Sequence, residues 1–201
     1  MKAGTVRPLI VGVGGSLRMQ STGQKALAHV LARAAERGAR TELISGPALD
    51  LPLYSPDTAE RSEAAARLVA LMRECDGVVI CSPAYHGSVS GLVKNAIDYT
   101  EDMNRDARVY FDGLPVGCIA CGAGWQAAGQ TLAALRAIAH ALRGWPTPMG
   151  GMINSTQHVF DAEGTCVDAS VRFQLDTIAD QVTEFALRKA RVEQAQSTMG
   201  G

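Results

Sequence analysis

The turn Gly15-Ser16-Leu17-Arg18-Met19-Gln20-Ser21-Thr22 follows the apolar run Leu9–Gly14 and precedes a helical pattern. It sets one guanidinium and three hydroxyls around a helix N-terminus, where free N–H groups and the helix dipole favour an anion. A dinucleotide fingerprint fails on spacing, because after Gly12 and Gly14 the third glycine position holds Leu17. The turn also lacks Gly-Lys-Ser/Thr, which excludes a triphosphate P-loop. Two readings stand. In one, Ser16, Arg18, Ser21 and Thr22 cradle a phosphate monoester; in the other, Ser21 or Thr22 caps the helix and Arg18 is simply solvated.

A second stretch, Ser82-Pro83-Ala84-Tyr85-His86-Gly87-Ser88, carries the features of a planar-ligand loop. Proline and glycine let backbone approach a ring closely, backbone N–H and C=O groups can read its heteroatoms, and an aromatic residue can cover it. A third, Cys121-Gly122-Ala123-Gly124-Trp125, is glycine-rich and opens a helical pattern. Cys118 and Cys121 have the spacing of a redox or zinc half-site, but both lie in an apolar run, not at a helix N-terminus. Residues three apart in a strand point to opposite faces, so these read as core thiols. His29, His86, His140 and His158 have no metal-ligand spacing, and no metal site is expected. There is no Gly-x-Ser-x-Gly elbow for hydrolase chemistry.

These turns need elements to hold them. Apolar runs at Leu9–Gly14, 41–45, 77–82, 116–121 and 149–155 predict strands buried on both faces, as in a parallel sheet. Helical patterns run over Thr22–Glu36, 58–74, from near Ser88 onward, 126–142 and 168–192. Five alternations of strand and helix predict an α/β, doubly wound, five-stranded parallel sheet. In the order 2-1-3-4-5 the first and third strands flank the switch point, so their loops line one crevice. The longer connections 46–57 and 104–114 admit two roles, shaping that crevice or running over the surface. Residues 145–148 read as a stiff link without chemistry. A single domain over 1–193 is expected, with a flexible tail at 194–201.

With 201 residues, 47% hydrophobic and 19 basic against 20 acidic residues, the composition suits one globular domain and gives no field that would draw nucleic acid. The first apolar run is too brief and glycine-rich for a signal peptide or membrane span, so no membrane partner is expected. Five scattered cysteines fit free thiols in a reducing cytoplasm.

The chain resembles the NADPH-dependent FMN reductase family, a flavodoxin-like group that includes flavin, quinone, chromate and azo reductases. The family's Gly-Ser-x-Arg-x-x-Ser phosphate loop is matched by Gly15, Ser16, Arg18 and Ser21. Its Ser/Thr-Pro-Glu-Tyr-Asn-Gly-Ser flavin loop is matched by Ser82, Pro83, Tyr85, Gly87 and Ser88, and its Leu-Lys-Asn-Ala-Ile-Asp run by residues 93–98, with Val93 for Leu. Departures fall at Ala84, where the family usually has Glu, and at His86, where it often has Asn. The resemblance covers roughly residues 8–155.

The resemblance implies a flavodoxin-like fold and an FMN-binding oxidoreductase, in which hydride passes from NADPH or NADH to the flavin and on to a small-molecule acceptor. It further implies FMN contacts from Ser16, Arg18, Ser21 and Thr22, from Pro83 to Gly87, and from Gly122 to Trp125. No catalytic side chain is required, because the cofactor supplies the reactive atoms. His86 has two readings, a proton-passing group or a polar contact. Trp125 likewise either packs on the ring and guards the entrance or serves packing and oligomer contacts. A homodimer or homotetramer is implied, with Lys94, Asn95 and Asp98 in or near the interface.

Overall fold

The valine-, isoleucine- and leucine-rich runs do condense into one parallel sheet. The computed structural model describes residues 7–199; residues 1–6 and 200–201, which hold the chain's start and the end of the expected tail, lie outside it. The elements in chain order are β1 (Leu9–Gly14), α1 (Thr22–Glu36), β2 (Arg40–Ser45), α2 (Glu63–Glu74), β3 (Gly77–Tyr85) and β4 (Ser88–Val89). There follow α3 (Gly91–Asp98), β5 (Pro115–Gly122), α4 (Trp125–Ala141), β6 (Trp145–Pro146), β7 (Gly151–Asn154) and α5 (Ala169–Met199).

The main path is β2-β1-β3-β5-β6, with β7 also parallel to β5, so the five strand positions stand in the expected doubly wound order. Strand side chains alternate between two cores. Val11, Val13, Val78, Ile80, Val116 and Cys118 face α2, α3 and α4, whereas Ile10, Val79, Cys81, Ile119 and Cys121 face α1 and α5. Helix α5 lies so close that a Cβ on Gly117 would sit 2.7 Å from Ile178 Cγ2.

Several boundaries move, each for a local reason. Helix α2 starts at Glu63 and not at residue 58, because the Ser62 hydroxyl caps it by accepting from the Ala65 N–H at 3.3 Å. Arg61, just before, is held elsewhere: it pairs with Asp102 at 2.8 Å and lies over the Tyr54 and Tyr99 rings. Helix α3 starts at Gly91, since Ser88 and Val89 form the second arm of a hairpin with β3. The link 145–148 contains a short paired piece, β6, and Pro146 and Pro148 split the fifth strand position by removing N–H donors. The last helix continues through residue 194 to Met199.

Connection 104–114 runs to the amino end of β5, where Phe111 N–H donates to Leu142 O at 3.0 Å and Gly113 N–H to Arg143 O at 3.3 Å. It therefore lies away from the carboxyl edge, and the surface role holds. Connection 46–57 is pinned to α3. The Asn95 carboxamide accepts from Tyr54 N–H at 2.8 Å and donates to Pro52 O at 2.9 Å, and the Tyr99 hydroxyl donates to Pro52 O at 2.9 Å. No helix among the described residues is long and apolar enough to cross a membrane.

Candidate cofactor site

The carboxyl ends of β1, β3 and β5 surround a cavity of about 730 Å³. The turn after β1 forms one wall. Gly14 holds φ +134°, and a Cβ there would lie 1.8 Å from Cys81 O, so only glycine lets the chain turn against β3. Gly15 N–H then donates to Cys81 O at 2.9 Å and seats the turn on the sheet.

Ser21 caps α1 by accepting from Gln24 N–H at 3.2 Å, the capping reading of this hydroxyl, and it also lines the cavity. The N–H groups of Thr22 and Gly23 occupy the first helical positions and have no partner within the helix. Those of residues 16–19 find no acceptor among the described residues. Arg18 is exposed and lines the cavity with no carboxylate partner among them.

The second wall is the hairpin of β3 and β4. Tyr85 pairs with Ser88, leaving His86 (φ +53°) and Gly87 (φ +80°) as a two-residue turn with both residues left-handed. The base of the hairpin is closed by the buried Ser82 hydroxyl, which accepts from Ser90 N–H and donates to Pro83 O, each at 2.9 Å. From α4, Thr131 donates to Ser88 O at 3.2 Å.

Pro83, Ala84, Gly122 and Ala123 form a floor of small side chains; a Cβ on Gly122 would come within 3.0 Å of that of Ala84. Tyr85, 56% exposed, stands at the mouth. Beyond it, Ser90, Gly91 and Leu92 bring the N-terminus of α3 to the cavity.

Of the residues singled out in the sequence, Ser16, Arg18, Ser21, Thr22, Pro83, Ala84, Tyr85, Gly122 and Ala123 line this one cavity. His86, Gly87, Gly124 and Trp125 do not line it: the first two form the hairpin tip, and the last two start α4. Gly15, matched in the phosphate-loop pattern, lines it too, whereas sequence reasoning missed Leu17, Gln20, Gly23, Ser90, Gly91, Leu92, Cys121 and Ser155 as lining residues. Ser90 had a local signal, since serine ahead of a helical pattern is a capping residue. Ser155 arrives only through pairing of β7 with β5 and has none.

These residues fit FMN. Unpartnered N–H groups and a free guanidinium suit a phosphate monoester, and a floor of small residues beside an aromatic suits a fused ring.

The family profile for "NADPH-dependent FMN reductase" matches residues 8–158. A Pseudomonas aeruginosa protein named an NAD(P)H-dependent FMN reductase is 30% identical over 168 residues, covering 81% of this chain and 86% of that protein. A Bacillus NADPH azoreductase is 45% identical over 51 residues, 25% of this chain; the match spans 29% of that relative's length. Among solved structures, the flavoenzyme NAD(P)H:(acceptor) oxidoreductase FerB from Paracoccus denitrificans superposes with TM-score 0.73 at 26% identity, over 90% of this chain and 98% of that one. An NADH:FMN oxidoreductase, 21% identical with TM-score 0.71 over 90% of this chain and 89% of that one, shares the fold. The profile's span takes in every wall of the cavity, and this chain belongs to the NADPH-dependent FMN reductase family.

Proposed function

We propose that the chain is an FMN-dependent NAD(P)H oxidoreductase that reduces a small organic acceptor, such as free flavin or a quinone, in the cavity between β1, β3 and β5. The single observation that carries this is the meeting of the donor-rich turn after β1, with Arg18, and a small-residue floor in one space. When bound, FMN supplies the hydride-accepting and electron-donating chemistry. Ser16, Arg18, Ser21 and the first N–H groups of α1 hold its phosphate. Pro83, Ala84, Gly122 and Ala123 support the ring and set its depth, while Tyr85 screens the open side from water. No side chain of the cavity has to move a proton or attack a substrate, so the protein's contribution is binding, alignment and exclusion of water.

The contact set proposed for FMN is that of the nine cavity-lining residues named above, with His86, Gly87, Gly124 and Trp125 acting from behind through the hairpin and the start of α4. The protein works as a homodimer or homotetramer. Lys94 and Asp98 are available at the surface of α3, where they pair at 2.5 Å; the Asn95 carboxamide is already used on residues 51–54. Five free cysteines suit a reducing cytoplasm.

The test is an absorbance spectrum of the protein loaded with FMN and freed of excess, before and after anaerobic NADPH. Retained visible bands that bleach on adding NADPH are expected. A colourless protein after loading, or bands indifferent to both NADPH and NADH, would overturn the reading.

A further inference from the structure

Cys81 on β3 and Cys121 on β5 are diagonal neighbours, since the register sets Cys81 beside Ile119 and Pro83 beside Cys121. Both side chains point to the α1 and α5 face, and their Sγ atoms lie 3.7 Å apart. Cys121 is 7% exposed and lines the cavity; Cys81 is wholly buried beneath Gly23 of α1, where a Cβ would meet its Sγ at 3.1 Å. The remaining thiols are placed apart. Cys75 and Cys118 pack on the opposite face of the sheet, and Cys166 turns toward Asp168 O at 3.6 Å.

We propose that Cys81 and Cys121 form an oxidisable thiol pair in the cavity floor, converted to an intrachain disulfide by a small hydroperoxide that enters through the cavity. The inference stands on the sulfur geometry and on the opening of the cavity to solvent at Cys121. The two thiols have different roles. The contact with Cys121, together with burial, holds the Cys81 thiol well above its ordinary pKa. Cys121, which lines the cavity, is the sulfur that meets the oxidant, and the wholly buried Cys81 is the one that resolves it.

The chemistry balances in two steps. The Cys121 sulfur gives up its proton and attacks the terminal oxygen of the hydroperoxide; the O–O bond breaks, an alcohol or water leaves, and Cys121 becomes a sulfenic acid. The Cys81 sulfur then attacks the Cys121 sulfur, the S–O bond breaks, and water departs with the Cys81 proton. The pair loses two electrons and the peroxide gains them. Closing a 3.7 Å contact to a bond of about 2.05 Å moves each sulfur by less than about 1 Å and, for diagonal neighbours standing about 7–8 Å apart, also requires β3 and β5 to draw together locally.

The experiment uses the intact chain. It is treated with hydrogen peroxide, quenched, denatured, alkylated and analysed by intact mass and peptide mapping. The expected product is lighter than the reduced control by about 2 Da before alkylation, takes up two fewer alkyl groups, and yields a peptide joining Cys81 to Cys121. In Cys81→Ser, dimedone should trap a sulfenic acid at Cys121; in Cys121→Ser, Cys81 should stay reduced at the same peroxide dose. Full alkylation of every cysteine after peroxide would overturn the proposal. So would a disulfide through Cys75, Cys118 or Cys166, or oxidation of Cys81 in Cys121→Ser at the wild-type rate. If a variant does not fold, the wild-type peptide map decides the question alone.

Discussion

At the scale of single residues, Arg18 is the clearest case of a side chain held for something outside the protein. It is exposed, lines the cavity, and faces no carboxylate among the described residues. Solvent weakens a charge-assisted contact, so Arg18→Ala should cost FMN binding about 1.5 kcal/mol, the lower end for bonds to charged groups, or roughly tenfold in affinity. Thermal unfolding should be unchanged, because no intramolecular bond is lost. Fluorescence titration with FMN measures this, and wild-type affinity would remove Arg18 from the phosphate site. Ser21 is a poorer probe: its oxygen also caps α1, so a substitution there mixes binding with stability.

At the scale of elements, the hairpin between β3 and β4 and the clamp between α1 and α5 each carry a prediction. Gly87 has φ +80° and sits behind the cavity wall, next to the flexible end of Gln130. Gly87→Val should therefore act through turn strain of about 2 kcal/mol, lowering the Tm by several degrees and weakening FMN indirectly through Ala84 and Tyr85. Gly87→Asn, which tolerates left-handed backbone, should recover most of both losses. Equal behaviour of the two variants in thermal unfolding and FMN titration would show that the turn's handedness is irrelevant.

The clamp joins Asp180 of α5 to Arg33 of α1 and to Arg37, the C-cap residue just past it, at 3.0 and 2.6 Å. Burial alone would raise the Asp180 pKa, but hydrogen bonds from Arg33 and Arg37 outweigh it and hold the carboxyl below its ordinary 3.8. A group depressed in this way stabilises the fold fully above its unfolded pKa and loses that contribution as pH falls through the lower folded value. Urea midpoints of wild type and Asp180→Asn should differ by a constant amount between about pH 5 and 7 and converge below about pH 4. A gap that persists unchanged in acid would assign the clamp's effect to packing.

At the scale of the whole molecule, the proposed assembly is tested at what α3 leaves at the surface, the Lys94–Asp98 pair. If copies associate through this region, light scattering at micromolar concentration should return a dimer or tetramer mass, and opposing the helices' charges with Lys94→Glu should shift it toward monomer without emptying the cavity. A monomer mass for the unaltered chain would refute the assembly.

Much of this was legible in the residues. Leu9–Gly14 and Thr22–Glu36 match their expected bounds because an apolar run ending in glycine and a serine-capped amphipathic stretch are local signals. The clustering of donors in the turn after β1 was readable for the same reason: they are neighbours in sequence. The hairpin was not, since a two-residue arm is too short for periodicity and Pro83 argues against a strand. Sheet order and register decide the rest. They bring Ser155 to the cavity, move connection 104–114 to the opposite edge, and set the sulfur of Cys81 against that of Cys121 and not Cys118. Local patterns specify elements and turns through backbone preference and side-chain period, whereas contacts between distant residues exist only once strands pair and helices close over them.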